Sequence, residues 1–329
     1  VNLLIHLGLT QDFAENGSKI FRETRGIGPD GDTLLYHLKK YDSIKELQRM
    51  FTTLFEIVWN IAKQSKIINP REKYDIAIDY TEWFYYGKEG FMVTSKKPER
   101  GTNKCYKFAT VNIVEPGKRF TLLAIPVTVL DENDKILKKL LRYTLQHIKI
   151  RRIYIDRGFF DSKSIAAINE FKIQWLMPAQ KNILVRRIYD VTPAPYIIRD
   201  FPMKNVRFNL VLVEKEDEST GELKKLIFAT NIDFNENEVK LAERLLTLYS
   251  KRWGIETSYR IKKHTFRGKT TSKNYKIRLF YFLFSVLLYN LWILADILIW
   301  LHIKGSIGED HLITSKYFGT ILMLIDDRG

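Results

Sequence analysis

The chain has 329 residues, 45% of them hydrophobic and 13% aromatic, which supports a real core in one large domain or two ordinary ones and excludes a disordered chain. Lys and Arg outnumber Asp and Glu by 53 to 38, a formal charge of +15 that favours a polyanionic partner such as nucleic acid. Cys105 is the single cysteine, so no intrachain disulfide can form, no Cys/His set has zinc-ligand spacing, and a reducing cytoplasm fits.

The first stretch, "VNLLIHLGLTQDF", lacks the basic start, apolar run and small-residue cleavage site of a secretory signal. The chain begins at Val1 rather than Met, and further residues are expected upstream. Residues 32–66 place Leu, Phe, Ile and Trp at three- and four-residue spacings, the pattern of amphipathic helices. From Tyr74 the period changes. "YDIAIDYT", "CYKFATVNIV" and "RFTLLAIPVTVL" read as strands, the last two joined by the turn "EPGK". A helix at "DENDKILKKLLRYTLQHIK", a strand at "RRIYIDRG", a helix around "DSKSIAAINEF" and a strand at "IQWLMPA" complete an α/β order.

Residues 181–235 break that rhythm with "ILVRRIYDV", "VRFNLVLVEKE" and "KKLIFATNIDF", which read as a β-rich insertion. Helix resumes after Asn235, a predicted N-cap followed by the acidic Glu236 and Glu238. The apolar run 279–303 is long enough to span a bilayer. An Asp near the centre of such a span costs about 2.5–3.5 kcal/mol, and Arg278, Ser285, Tyr289 and Asp296 fall on one side of a helical wheel. A buried helix of a soluble protein is therefore expected, with no membrane partner.

The chemistry concentrates in "YSKRWGIETSYRIKKH". On a continuous helix of about 3.6 residues per turn, Tyr249, Arg252, Glu256, Arg260 and Lys263 would share an arc of roughly 80°. Residues 249–278 hold ten Lys or Arg and a single acid, Glu256. Such a strip suits phosphates, and a lone carboxylate within it suits a metal ion held against them. Two hard divalent ions about 3.5–4 Å apart need further carboxylates. Asp79 in "IAIDYT" and Asp156 in "IYIDRG" each follow an apolar β run and stand where polar residues take over; Asp75, Asp161 and Glu82 are the alternatives.

The spacing of Tyr249, Arg252, Glu256 and Lys263 resembles the Tyr-Arg-Glu-Lys signature of DDE transposases of the insertion-sequence-four superfamily, and the resemblance extends from about Asp75 to Trp300. It implies an α/β, ribonuclease H-like catalytic core with a β-rich insertion and an N-terminal helical region. The segments would be a helical region 1–72, core 73–180, insertion 181–235, core 236–303 and a tail 304–329. It also implies Asp79, Asp156 and Glu256 as catalytic metal ligands for Mg²⁺, two ions with Mn²⁺ as a substitute, and Tyr249, Arg252, Arg260 and Lys263 as DNA-binding residues. The implied partners are double-stranded transposon ends and target DNA, met by a homodimer. The alternatives on the same fold are an inactive or truncated DNA-binding descendant and a nuclease such as a junction resolvase. No helix-turn-helix with a basic recognition helix is legible in 1–72. The insertion has no Trp, which leaves base stacking there to Tyr189, Tyr196, Phe201 or Phe208.

Overall fold

The computed structural model describes residues 1–217, 220–234 and 238–325. Four helices come first: α1 (Asn2–Thr10), α2 (Ala14–Arg25), α3 (Gly31–Lys39) and α4 (Ile44–Gln64). The predicted helical stretch 32–66 divides at Ser43, whose side chain accepts from Glu46 N–H while the Glu46 carboxylate accepts from Asp42 N–H, so the local sequence starts α4 by its own cap.

The sheet begins with β1 (Lys73–Phe84), β2 (Thr94–Glu99), β3 (Thr102–Ile113) and β4 (Thr121–Val127). Then come α5 (Asn133–His147), β5 (Lys149–Ile155), α6 (Ser162–Asn169), β6 (Gln174–Pro178), α7 (Ile183–Val191), β7 (Tyr196–Met203), β8 (Val206–Glu216) and β9 (Leu223–Thr230). The helices α8 (Glu238–Ser250), α9 (Trp253–Ile261), α10 (Tyr275–Lys304) and α11 (Ser315–Ile325) follow. The expected cap at Asn235 and its neighbour Glu236 lie outside the described residues.

All nine strands form one sheet, in the order β2-β3-β1-β5-β6-β9-β8-β7 with β4 also on β3. β1, β5 and β6 are parallel neighbours, and β3 runs antiparallel to β1. The strands of the insertion continue that sheet, because β9 pairs antiparallel with β6. Within the insertion "ILVRRIYDV" is a helix rather than the expected strand. The Asn182 side chain caps it by accepting from Val185 N–H, and Val185, Ile188 and Tyr189 pack inward at helical spacing. β2 was not foreseen, and its exposed, lysine-rich "TSKKPE" carries little apolar alternation.

The period of two along each strand sorts the core into two layers. Ile76, Ile78, Ile153, Ile155, Trp175 and Met177 belong to a large layer with α4, α5, α6 and α10. Ala77, Tyr154, Leu176 and Val211 belong to a smaller one under Leu241, Leu245 and Leu248 of α8 and Ile255 and Tyr259 of α9. By length and composition α10 could cross a membrane, but 72% of its most apolar window is buried, and it packs against α3, α4, β4 and α11. Its polar residues find partners there: Asn290 exchanges hydrogen bonds with the Thr121 backbone, Tyr289 donates to the Arg119 carbonyl, and Asp296 accepts from Ile313 N–H beside His311. The segment 304–329, expected as a tail, contains α11, which packs against α1 and α10.

Candidate active site and nucleic-acid interface

The parallel register of β1 and β5 ends on the pair Ile78–Ile155. The next residue on each chain is Asp79 and Asp156, so the register itself sets the two aspartates side by side. Asp79 shares parity with Ala77, and Asp156 with Tyr154, so both belong to the face that α8 and α9 cover. Asp156 then starts a short 3-10 turn, Arg157–Phe159, as its cap. Asp79 is not at a strand end as the sequence suggested: β1 runs on to Phe84, pairing past Ile78 with β3 alone among the described residues.

Residues 249–263 are not one helix either. α8 stops at Ser250, the backbone tightens through i→i−3 hydrogen bonds at Lys251, Arg252, Gly254 and Ile255, and after α9 a π-helical turn spans Lys262–Phe266. The shared arc therefore breaks up. The tightened corner aims adjacent residues at β1: Lys251 Nζ lies 2.8 Å from Asp75 Oδ2, and Arg252 Nη1 lies 3.1 Å from Asp79 Oδ2. The other terminal nitrogen of Arg252, Nη2, lies 2.5 Å from Glu256 Oε1, so one guanidinium bridges Asp79 and Glu256. Arg252 also lies 5.3 Å from the centre of the Tyr249 ring, which packs edge-on against Phe228.

Burial pushes the Asp79 carboxyl up to about 7; Arg252 pulls it back, and the charges of Asp156 and Glu256 add to the rise. Three carboxylates and one buried guanidinium thus share one electrostatic site. Arg252 keeps its charge despite burial because Tyr249, Asp79, Glu256 and Asp156 surround it, and its Nε is buried with no partner among the described residues. The structure does not bring Arg260 and Lys263 into this cluster. Arg260 is exposed, while Lys263 lies in the field of Arg267, Glu82, Lys96 and Arg100 near the β2–β3 hairpin. The alternatives have other partners: Glu82 pairs with Lys96, Asp161 caps α6, and Asp75 is held by Arg151 and Lys251. In the insertion, Phe201 and Phe208 are core, the Tyr189 ring is covered by Lys181, and Tyr196 is exposed.

Two features escape any sequence pattern. Lys107 lies 3.7 Å from the Tyr80 ring centre and within the field of Asp79 and Asp156. Lys262, fully buried, donates to Thr121 Oγ1 at 2.6 Å. From there hydrogen bonds run through Asn112 and Thr110 to Tyr259, whose hydroxyl donates to the Asp79 carbonyl at 2.9 Å. This chain fixes the β1 backbone at Asp79. Burial holds the Lys262 ammonium well below its ordinary pKa, and only the π turn, invisible to a period of 3.6, directs it inward.

Among the described residues no group of three or more His, Cys, Asp or Glu stands closed up as a metal cluster. The carboxylate oxygens of Asp79 and Glu256, which share the Arg252 guanidinium, are nevertheless donors of the kind a hard divalent cation takes.

No curated protein matches this sequence. Among solved structures the chain is similar to the piggyBac transposase in a cryo-EM synaptic complex with hairpin DNA, at 12% identity and a TM-score of 0.57 over 81% of this chain. The chain spans 55% of the length of that one, and the likeness concerns the fold. The transposase DDE domain family matches residues 70–291, a stretch that contains β1, β5 and α9 with Asp79, Asp156 and Glu256. With more than half of its length so matched, the chain belongs to the transposase DDE domain family.

Proposed function

We propose that this protein is a DNA transposase of the insertion-sequence-four superfamily, with a ribonuclease H-like core, that cuts transposon ends and transfers strands on duplex DNA as a dimer. The observation that carries the reading is the register pair Ile78–Ile155, which sets Asp79 beside Asp156 on the face where Glu256 meets Arg252. The sheet order, with β1 between antiparallel β3 and parallel β5 and β6, supports the core assignment.

Asp79, Asp156 and Glu256 would hold Mg²⁺, which when bound would activate the attacking water or 3′-hydroxyl and stabilise the leaving oxygen. The chain's own residues prepare that state. Asp79, raised to about 7, has to shed its proton before it can act as a ligand. Arg252, released from the two carboxylates, presents a planar fork of N–H donors suited to a phosphate. Tyr259 and Thr110 hold the Asp79 backbone still while the charge changes. The test is cleavage of a duplex built from the DNA that flanks the gene: wild type should cut it in Mg²⁺ and not in EDTA, and metal-independent or absent cutting would sink the reading.

A further inference from the structure

Ile78–Ile155 is the last register pair between β1 and β5, and β5 itself ends at Ile155. Asp79 and Asp156 are the first residues past it, and their like charges push them apart. Among the described residues no further register pair holds the two chains together beyond this point.

A run of hydrogen bonds does so instead. Tyr80 N–H donates to Asp79 Oδ1 at 2.7 Å, and the Tyr80 hydroxyl donates to Asn133 Oδ1 at 2.7 Å. Asn133, the first residue of α5, donates from Nδ2 to the Gly158 carbonyl at 3.1 Å. Gly158 N–H closes the run by donating to Asp156 Oδ2 at 3.4 Å. The relay thus leads from one carboxylate to the other. Packing supports it: the Tyr80 ring stacks on Phe159, in the turn that Asp156 caps, with centroids 4.5 Å and planes 15° apart. Phe159 is fully buried, and Lys107 Nζ lies 3.7 Å from the centre of the same Tyr80 ring. Adjacent residues of a strand point to opposite faces, so Tyr80 can serve both sides of the pair. Its backbone meets the Asp79 carboxylate, while its side chain reaches through the large core layer to the turn that begins at Asp156.

We propose that Tyr80 and Asn133 are positioning residues that hold Asp79 and Asp156 at a fixed separation and orientation, so that the pocket for a divalent cation is set before DNA arrives. Both act through the two aspartates. The assignment rests on the transposase reading for Asp79 and Asp156 as the ion's ligands. Loss of a group that orients a metal-binding side chain typically costs about 10–100-fold in metal affinity.

The experiment titrates the full chain with Mn²⁺ alone, without DNA, reading free Mn²⁺ by electron paramagnetic resonance, and measures the Mg²⁺ midpoint of duplex cleavage beside it. Tyr80→Phe keeps the stack on Phe159 and loses only the hydroxyl. It should weaken Mn²⁺ binding about tenfold and raise the Mg²⁺ midpoint by a similar factor, with the cleavage rate at saturating Mg²⁺ largely recovered. Asn133→Ala should do the same, and the double variant should bind no more weakly than either single one, because both break one relay. Tyr143→Phe loses a comparable hydroxyl bond, to Glu56, about 15 Å further along α5, and should leave both midpoints unchanged. If Tyr80→Phe does not fold, Asn133→Ala decides. Midpoints for Tyr80→Phe and Asn133→Ala no different from those of Tyr143→Phe overturn the assignment, and a lowered melting temperature with unmoved midpoints does so too. Asp156→Asn separates this assignment from the reading beneath it. If Asp156→Asn cuts like wild type, the triad falls and the positioning role with it; if it is inactive while the Tyr80→Phe midpoints stay put, only the positioning role falls.

Discussion

Asp75 and Asp79 sit on the same face of β1, both under the α8–α9 corner, and each is met by one of two adjacent residues, Lys251 and Arg252. At Asp75, burial alone would raise the carboxyl, yet hydrogen bonds and charge from Arg151 and Lys251 hold it below its ordinary value. Tyr154 donates to it at 3.0 Å, and Glu115 shares Arg151 with it. At Asp79 one cation, Arg252, is in contact, Lys107 acts only through its field, and two like charges face the carboxyl, so burial wins and it rises to about 7. What separates these two positions on β1 is the number of cations in contact with each carboxyl. A carboxylate with its cations built in is structural, whereas one left short of positive charge is completed by something from outside.

The largest expected effect is on cleavage. Asp79→Asn, Asp156→Asn and Glu256→Gln each remove a charge at constant size, and each should slow Mg²⁺-dependent cutting by at least about 10³-fold, roughly 4 kcal/mol, in a single-turnover assay. Wild-type cutting by any one of them removes that residue from the triad.

Earlier on the strand, Asp75→Asn should cost stability instead, about 3–5 kcal/mol, because it strands Arg151 and Lys251 beside a buried amide. Thermal melts should fall by on the order of 10 °C. A melt unchanged from wild type would mean that the cations relax to water and that the comparison fails.

A smaller effect of opposite sign is expected for Asp79. A carboxyl raised from 3.8 to about 7 binds its proton more tightly in the folded state, so stability falls as pH climbs between those values and the whole penalty is present above about 7. In EDTA, Asp79→Asn should therefore melt a few degrees above wild type at pH 8 and no higher near pH 4, with part of the gain offset by the lost Arg252 partner. Mg²⁺ should erase the advantage by stabilising wild type alone. An advantage that does not grow with pH would show that Asp79 is not held near 7.

The smallest expected effect separates Arg252 from an ordinary surface charge. Arg252→Ala should lower the salt slope of duplex binding by about 0.9. Arg252→Lys should restore most of the slope without restoring cleavage, because an ammonium is a point charge that cannot grip and orient a phosphate with two hydrogen bonds as the fork does. Equal slopes for Arg252→Ala and Lys139→Ala would return Arg252 to a purely structural role.

Much of this was legible in the residues alone. Apolar runs ending in "IDYT" and "IDRG" marked β1 and β5, because strand alternation is a local signal, and the spacing from Tyr249 to Lys263 carried the family resemblance because it is written in residue identities. Local cues had limits where two patterns competed. "ILVRRIYDV" reads as strand by β-branched content, yet its Asn182 cap and helical packing made it α7.

The tertiary structure alone decided how those pieces meet. The register of β1 against β5, the tight corner at Lys251–Arg252 and the π turn at Lys262–Phe266 have no periodic signature, since each depends on contacts between segments far apart in the chain. They determine that Asp79 touches one cation and Asp75 several, that Lys263 turns to the hairpin instead of the Asp79–Arg252–Glu256 cluster, and that Arg267 stacks on Trp83. A sequence determines which charges exist and which strands and helices carry them; the balance at each site depends on distance and burial, which only the folded chain sets.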